Sequence, residues 1–464
     1  MNCPPCPFSL TLDSAEFPAI RCEELLRHLP KKRRMYAGHW GERPVGIKIF
    51  EGRGAKRYWE REKRGIELLR QRHIPTPELL FAGTLPDATP ILITAFIPTA
   101  STAQEQWQRC ETEQERLALL RALTRTIAHM HCQGLWQKDL HLGNFLLSQG
   151  EIFTIDGDAI CARRAAKLLP ARMRQTNFTL FLAQIPPAYE HLFANLLEYY
   201  GAETGDKLNA WATLLSEKVP ARRKKRRLMY IAKAFRTCSE FTRHHTRSQL
   251  TLHRTDAPAS LIQQLLDAPD ALLAQGEILK DGNSATVVRL QSAEGDWVIK
   301  RYNIKGFWHG LKRCLRPTRA AVSWGNAHRL KISEINTPHA LAMAEKRFGP
   351  FRFTGYYVCA YVAAPDAGTY FNAAAPVDAE KQRAIDTLTQ MFHLLYRLGI
   401  HHGDCKATNF LLKDGAPWVI DLDAMREFRS RRNFLHHYKV DRARFLRNWE
   451  PNSAMHRQFD AKLP

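Results

Sequence analysis

Hydrophobic positions along this chain follow two periods, and the two alternate in the same order twice. Over 113–132, Leu117, Leu120, Leu123, Ile127 and Met130 recur at spacings of three and four, the mark of one buried helix face. Over 378–397, Ile385, Leu388, Met391, Phe392 and Leu395 trace a second such face. A glycine closes each run, Gly134 and Gly399, as glycine closes many helices. Each predicted helix leads into a polar loop, then a short apolar strand ("NFLL" in both), then a second apolar strand, "IFTID" or "WVIDLD". Upstream, "RPVGIKIF" (43–50) and "DWVIKRY" (296–302) read as strands, each with one lysine in apolar surroundings, Lys48 and Lys300. The runs "ILITAFIP" (91–98) and "YYVCAYVA" (356–363) read as core strands.

The repetition has a fixed offset. Asp139 and Asp404, Asn144 and Asn409, and Asp156 and Asp421 are each 265 positions apart, and ten of 25 residues are identical between 136–160 and 401–425. One constant offset of about domain size marks a duplicated unit. A length of 464 residues allows roughly two to four domains at about 100–200 residues each. The expected division is an N-terminal extension over 1–29, a first domain over 30–250 and a second over 251–464.

Composition narrows the setting. With 45% hydrophobic residues each half can bury a core, and no apolar run approaches the roughly 18 residues of a membrane span. The start, "MNCPPCPFSL", has no basic stretch followed by an apolar one, so no secretory signal is expected there. The ten cysteines are scattered, which fits reduced thiols in a cytoplasmic protein; Cys3 and Cys6 lack the second pair that a zinc site needs. Net charge is +22, with runs at 31–34 (KKRR) and 222–227 (RRKKRR). Such an excess favours an anionic partner. No zinc finger, RNA-binding aromatic signature or basic zipper is present, so nucleic acid is disfavoured. An anionic inner-leaflet membrane surface fits the charge better.

The polar loops carry the candidate chemistry. Asp139-x4-Asn144 and Asp404-x4-Asn409, each followed about a dozen residues later by Asp156 or Asp421, have the spacing of phosphoryl-transfer sites. There one carboxylate takes the acceptor's proton, an Asn and a second Asp hold Mg²⁺, and a strand lysine meets the α/β-phosphates. Asp404-Cys-Lys406 has the protein-kinase form, whereas Asp139-Leu-His141 has the form of small-molecule phosphotransferases. Adjacent His401 and His402 point different ways on a strand and are not read as ligands of one metal.

With "VIKRYNIKGFWHGLKRCLRPTRAAVSWGNAHRL" (298–330) and "HGDCKATNFLL", the second half resembles the bacterial lipopolysaccharide core kinases that act on heptose and Kdo. The first half, from "VGIKIF" to "FTIDGD", is similar to the same family. The resemblance implies an α+β fold of two tandem protein-kinase-like domains, each with a small β-rich lobe and a larger helical one. It implies ATP and Mg²⁺ as cofactors and the lipopolysaccharide core oligosaccharide as acceptor. It further implies Asp139, Asp404 and Lys406 as catalytic residues, and Asn144, Asp156, Asn409 and Asp421 as magnesium ligands. Lys48, Glu62, Lys300, Gly282, Ala95, Ile97, Ala360 and Val362 would line the nucleotide. Glu62 is placed to pair with Lys48, while the helix following Lys300 offers no acidic residue. The expected location is the cytoplasm, with peripheral docking on the inner face of the inner membrane. Two alternatives stand beside this reading: a tandem pseudokinase scaffold with one or both halves inactive, and a kinase for a protein or small-molecule acceptor.

Overall fold

Alternation decides the first sheet. In "RPVGIKIF" the side chains of Val45, Ile47 and Ile49 are buried against β-branched neighbours, which fixes the register because a one-residue slip would turn all three to the other face. The structure, a computed structural model, describes residues 6–12, 18–206, 209–303, 314–372 and 378–464. It divides into two compact units, 1–224 and 225–464. Cys3 lies outside the described residues, and every described cysteine is a free thiol.

In the first unit, β1 (Phe8–Leu10), β2 (Ile20–Leu29), β3 (Arg33–Trp40), β4 (Arg43–Phe50), β5 (Leu79–Thr84) and β6 (Pro90–Ala95) form one antiparallel sheet in the order β1-β2-β3-β4-β6-β5. Ile20 and Cys22 are fully buried, so the stretch expected as an extension supplies a strand of the sheet. Helix α1 (Ala55–Gln71) lies between β4 and β5 in sequence. Helix α2 (Glu113–Cys132) starts at a capping box in which Thr112 and Glu115 satisfy each other's backbone N–H groups. Its apolar face, Leu120, Leu123 and Ile127, packs with Phe145, Phe178 and Tyr200. Strands β7 (Phe145–Ser148) and β8 (Glu151–Thr154) follow as a hairpin whose two turn residues, Gln149 and Gly150, both have positive φ. That turn suits the right-handed twist of paired strands.

The basic run 222–227 lies in helix α3 (Asn209–Lys233). It is not simply a solvated face. Arg223 is buried in an ion pair with Glu190, and its Nη2 donates to the carbonyl of Ile185. Arg227 is buried against Glu427, at 2.6 Å.

The second unit is built on a seven-stranded sheet. Strands β9 (Phe241–His245), β10 (Gln249–Arg254), β11 (Glu277–Gly282), β12 (Ala285–Ser292), β13 (Gly295–Tyr302), β14 (Ala340–Phe348) and β15 (Phe351–Ala360) form an antiparallel sheet in the order β9-β10-β14-β15-β13-β12-β11. Helix α4 (Arg319–Ile332) lies between β13 and β14 in sequence, and α5 (Ala379–Leu398) ends on left-handed Gly399. Hairpin β16 (Phe410–Lys413) and β17 (Ala416–Val419) turns on Asp414 and Gly415, again both at positive φ. Helix α6 (Arg431–Leu446) closes the catalytic-looking loop from behind. The division expected at 250/251 falls inside β10, whose Leu250 and Leu252 are buried and whose residues pair with β14. The second unit therefore begins earlier.

A backbone contact positions the first site. A Cβ on Gly65 of α1 would lie 1.9 Å from the carbonyl oxygen of Gly157, and one on Gly157 would lie 2.4 Å from that of Glu62. Helix and turn touch main chain to main chain, which only glycine allows. Gly65→Ala is therefore expected to destabilise the first unit by about 3 kcal/mol or more, since neither backbone can yield. Gly150→Ala, with open space around it and φ of +82°, should cost only about 1 kcal/mol. Urea unfolding of the two variants side by side measures the contrast.

Candidate active site

Both units build their polar loops with the same hydrogen bonds from different residues. Asn144 donates its side-chain N–H to the carbonyl of Asp139 at 2.8 Å, and Asn409 to that of Asp404 at 2.7 Å. The backbone N–H of Ile155 then donates to Asn144 O, and that of Ile420 to Asn409 O, at 2.9 and 3.0 Å. The amide nitrogen of each Asn is thus committed, which leaves Oδ1 as the atom available to a cation. Gln137 Nε2 donates to the Ile155 carbonyl at 2.8 Å, and His402 Nε2 does the same for Ile420 at 3.0 Å. These two positions, again 265 apart, escaped the sequence reading because the residue types differ; the constant offset was the available signal.

Asp156 and Asp421 both sit in the left-handed region, at φ/ψ of 67/67° and 58/59°. A non-glycine residue pays for this conformation, and such strain gathers where a side chain has to be aimed. The two aspartates are held differently. In the first unit Lys48 pairs with Glu62, which is completely buried and also accepts the backbone N–H groups of Gly157 (3.3 Å) and Asp158 (3.2 Å). Arg33, from the basic run 31–34, bridges Glu62 Oε2 (3.4 Å) and Asp156 Oδ1 (3.3 Å). Asp158 turns to Arg61 at 2.8 Å; burial holds its carboxyl above the ordinary value despite that guanidinium. Asp139 is exposed, and its backbone carbonyl accepts from Asn144. Ala95 and Ile97 lie half-buried at the end of β6, where Ala95 N–H donates to Glu78 O.

In the second unit a cavity of ≈ 580 Å³ gathers Lys300, Ala360, Val362, Asp404, Lys406, Asn409 and Asp421. Apolar walls come from Ala285, Val298, Leu411 and Ile420. This size and mixture suit a nucleotide-sized ligand. Gly282 does not line the cavity. It closes the β11–β12 hairpin opposite Ala285, and Ser284 of the same turn lines the cavity instead.

Lys300 pairs with Asp421 Oδ1 and lies 3.6 Å from Asp423 Oδ2, which Arg319 of α4 also holds at 2.7 Å. Burial pushes Asp421 up, but the ammonium of Lys300 and its hydrogen bond bring the carboxyl below its ordinary value. Asp423 ends above its ordinary value, raised by burial and by the Asp421 charge against Lys300 and Arg319. Asp404 is flanked by Arg444 (2.5 Å) and Lys406 (3.6 Å). Asp441 of α6 accepts the N–H groups of His402 (2.6 Å) and Gly403 (3.0 Å), fixing the entry to the loop. Burial, then the neighbouring His437 and Arg426, hold His401 down at about 4, so its ring is neutral; among the described residues no group of three or more His, Cys, Asp or Glu is arranged around a metal position. Cys405 is fully buried. Arg33, Arg319, Asp423, Asp441 and Arg444 were not singled out from sequence.

Residues 270–448 match the model of the lipopolysaccharide kinase (Kdo/WaaP) family, a span that contains every second-unit residue of this group. No curated protein matches the chain. Among solved structures, the kinase domain of Mycobacterium tuberculosis PknI, crystallised as a point mutant, is 18% identical; the match covers 31% of this chain and 61% of that one, at a TM-score of 0.25.

The paired roles of Gln137 and His402 can be tested by exchange. His402→Gln should keep the donor to Ile420 O and leave stability within about 1 kcal/mol of the parent. His402→Leu leaves that carbonyl unpaired and should cost about 1–3 kcal/mol. Urea unfolding of the full chain reads both.

Proposed function

Starting from the match of residues 270–448 to the lipopolysaccharide kinase (Kdo/WaaP) family, whose members are kinases, we propose that the chain is a kinase of that kind and phosphorylates a heptose or Kdo hydroxyl of the lipopolysaccharide inner core. The observation that carries this reading is the single cavity that brings a strand lysine, the Asp-x4-Asn loop and the left-handed aspartate together in the second unit. ATP enters with its base between Ala285, Val298 and Leu411 and its phosphates toward Lys300. Asp404 takes the proton of the acceptor hydroxyl as that oxygen bonds to the γ-phosphorus and the bond to the β,γ-bridging oxygen breaks, leaving ADP. Lys406, 3.6 Å from the Asp404 carboxylate, faces the transferred phosphoryl group.

The oxygens of Asn409 and Asp421 form a hard-donor pair suited to Mg²⁺. When bound there with ATP, the ion supplies charge neutralisation at the triphosphate oxygens. A net charge of +22 supports an anionic acceptor and docking on an anionic leaflet. Among the described residues no helix is long and apolar enough to cross a membrane.

The repeated hydrogen bonds of the first unit support a second kinase-like domain, but Arg33 favours a different duty for it. Its guanidinium pairs with Asp156 Oδ1 at 3.3 Å and so competes with a cation for that carboxylate. Position 141 is a histidine where the second unit has Lys406. In this reading the second unit transfers phosphate and the first regulates it.

The test is transfer of labelled γ-phosphate from Mg-ATP to dephosphorylated lipopolysaccharide core. Asp404→Asn is expected to lose about 10²–10⁴-fold in rate, the usual contribution of a general base. Asp139→Asn should retain most activity. Equal losses would make both units engines, and equally fast labelling of casein or a free sugar would move the acceptor elsewhere. Calorimetry with Mg-ATP should give one site per chain in the parent. Arg33→Met, which frees Asp156, should give two.

A further inference from the structure

Lys300 has no acidic partner on helix α4, and the two units can be matched closely enough to see what replaces it. Ile74 N–H donates to Leu69 O, and Ile335 N–H to Leu330 O; His73 and Glu334 follow their helices with φ of 53° and 55°. Pro75 O accepts from Thr154 and Asn336 O from Val419. Helices α1 and α4 are thereby in register at an offset of 261, which puts Ser323 where the first unit has Glu62, and Asn326 where it has Gly65. Asn326 donates to the carbonyls of Leu422 (2.8 Å) and Met425 (2.9 Å), so α4 still grips the aspartate turn. Ser323 is buried in a hydrogen bond with the hydroxyl of Tyr302, at 2.8 Å, and both line the cavity with Lys300.

The carboxylate has moved to the turn. We propose that Asp423 is the positioning residue for Lys300, taking from the turn the part that Glu62 plays from the helix for Lys48. The corresponding residue of the first unit, Asp158, turns away to Arg61. Asp423 instead has a 6% exposed side chain, 3.6 Å from Lys300 Nζ, and is held by Arg319, whose Nη1 also donates to Ser284 O in the hairpin turn at 3.2 Å. Lys300 also touches Asp421, but that carboxylate is the one assigned to the cation. Once it is taken, Asp423 is, among the described residues, the counter-charge left to aim the ammonium at the phosphates. Through Arg319 the same carboxylate links α4 and the hairpin turn to the lysine.

This assignment rests on the kinase reading of the cavity, and the experiment separates the two. The kcat for transfer to dephosphorylated lipopolysaccharide core and the Kd for ATP by calorimetry are measured for the parent, Asp404→Asn, Asp423→Asn and a triple variant. The triple variant, Asp423→Asn with Ser323→Glu and Tyr302→Phe, rebuilds the first unit's pairing, where Phe50 stands two residues after Lys48. The isosteric Asp423→Asn is expected to keep its melting temperature within a few degrees and its ATP Kd within about threefold, while kcat falls at least about tenfold. The triple variant should regain most of that loss, which a merely structural role for Asp423 would not produce. The proposal is overturned if Asp423→Asn keeps the parent kcat while Asp404→Asn is dead, or if the triple variant is no better than Asp423→Asn. A parent that neither binds ATP nor transfers phosphate overturns the kinase reading, and this assignment with it.

Discussion

An ammonium group placed inside a folded cleft has to be neutralised there, and both units are arranged around that requirement. Lys48 and Lys300 each keep only 16% of their side chains exposed. Burying such a charge alone costs several kcal/mol, so each lysine fixes where a carboxylate must be. In the first unit the carboxylate is Glu62, and its remaining lone pairs take the N–H groups of the next turn, so helix, strand and turn are tied through one side chain. In the second unit the carboxylates are Asp421 and Asp423, on the turn itself, and the helix joins through Arg319 and Asn326. One electrostatic constraint has two solutions, and the local packing follows whichever was taken.

The loops show the complementary case, in which the geometry is kept and the chemistry varies. Gln137 and His402 share a side-chain N–H at the same reach and little else. What each preserves is the pairing of a half-buried carbonyl, whose loss would cost about as much as a core methylene or two. The hairpins beyond the loops keep positive φ at both turn residues with Gln-Gly in one and Asp-Gly in the other. The left-handed aspartates are reproduced to within about ten degrees, because the bonds on either side leave the chain no other path.

Local periodicity made the long helices, the loops and the paired strands legible in the sequence. Helix α2 begins and ends where its apolar spacing does, and the glycine after α5 is left-handed as its position suggests. Within the second site, the residues joined by one loop and one strand could be read from spacing. Pairings that arrive from far along the chain could not: Arg33 meets Asp156 from 123 residues away, and Lys300 and Asp421, both named as site residues, pair directly across 121. An arginine in a basic run looks like any solvated cation until the fold gives it a buried carboxylate. The start of the second unit was missed for a related reason, since the strands 241–254 carry scattered histidines and arginines and show their apolar alternation only once β14 lies beside them.

The arginines of the run 222–227 bear on how its charge can be probed. Arg223 pairs with half-exposed Glu190, while Arg227 and Glu427 are both buried, and removing one partner of a buried pair costs about 3–5 kcal/mol. That is a large part of a domain's entire stability. Wholesale neutralisation of the stretch would therefore unfold molecules before it weakened any attraction to anions. The exposed members, Lys225 among them, report on surface charge; buried Arg223 and Arg227 belong to the skeleton.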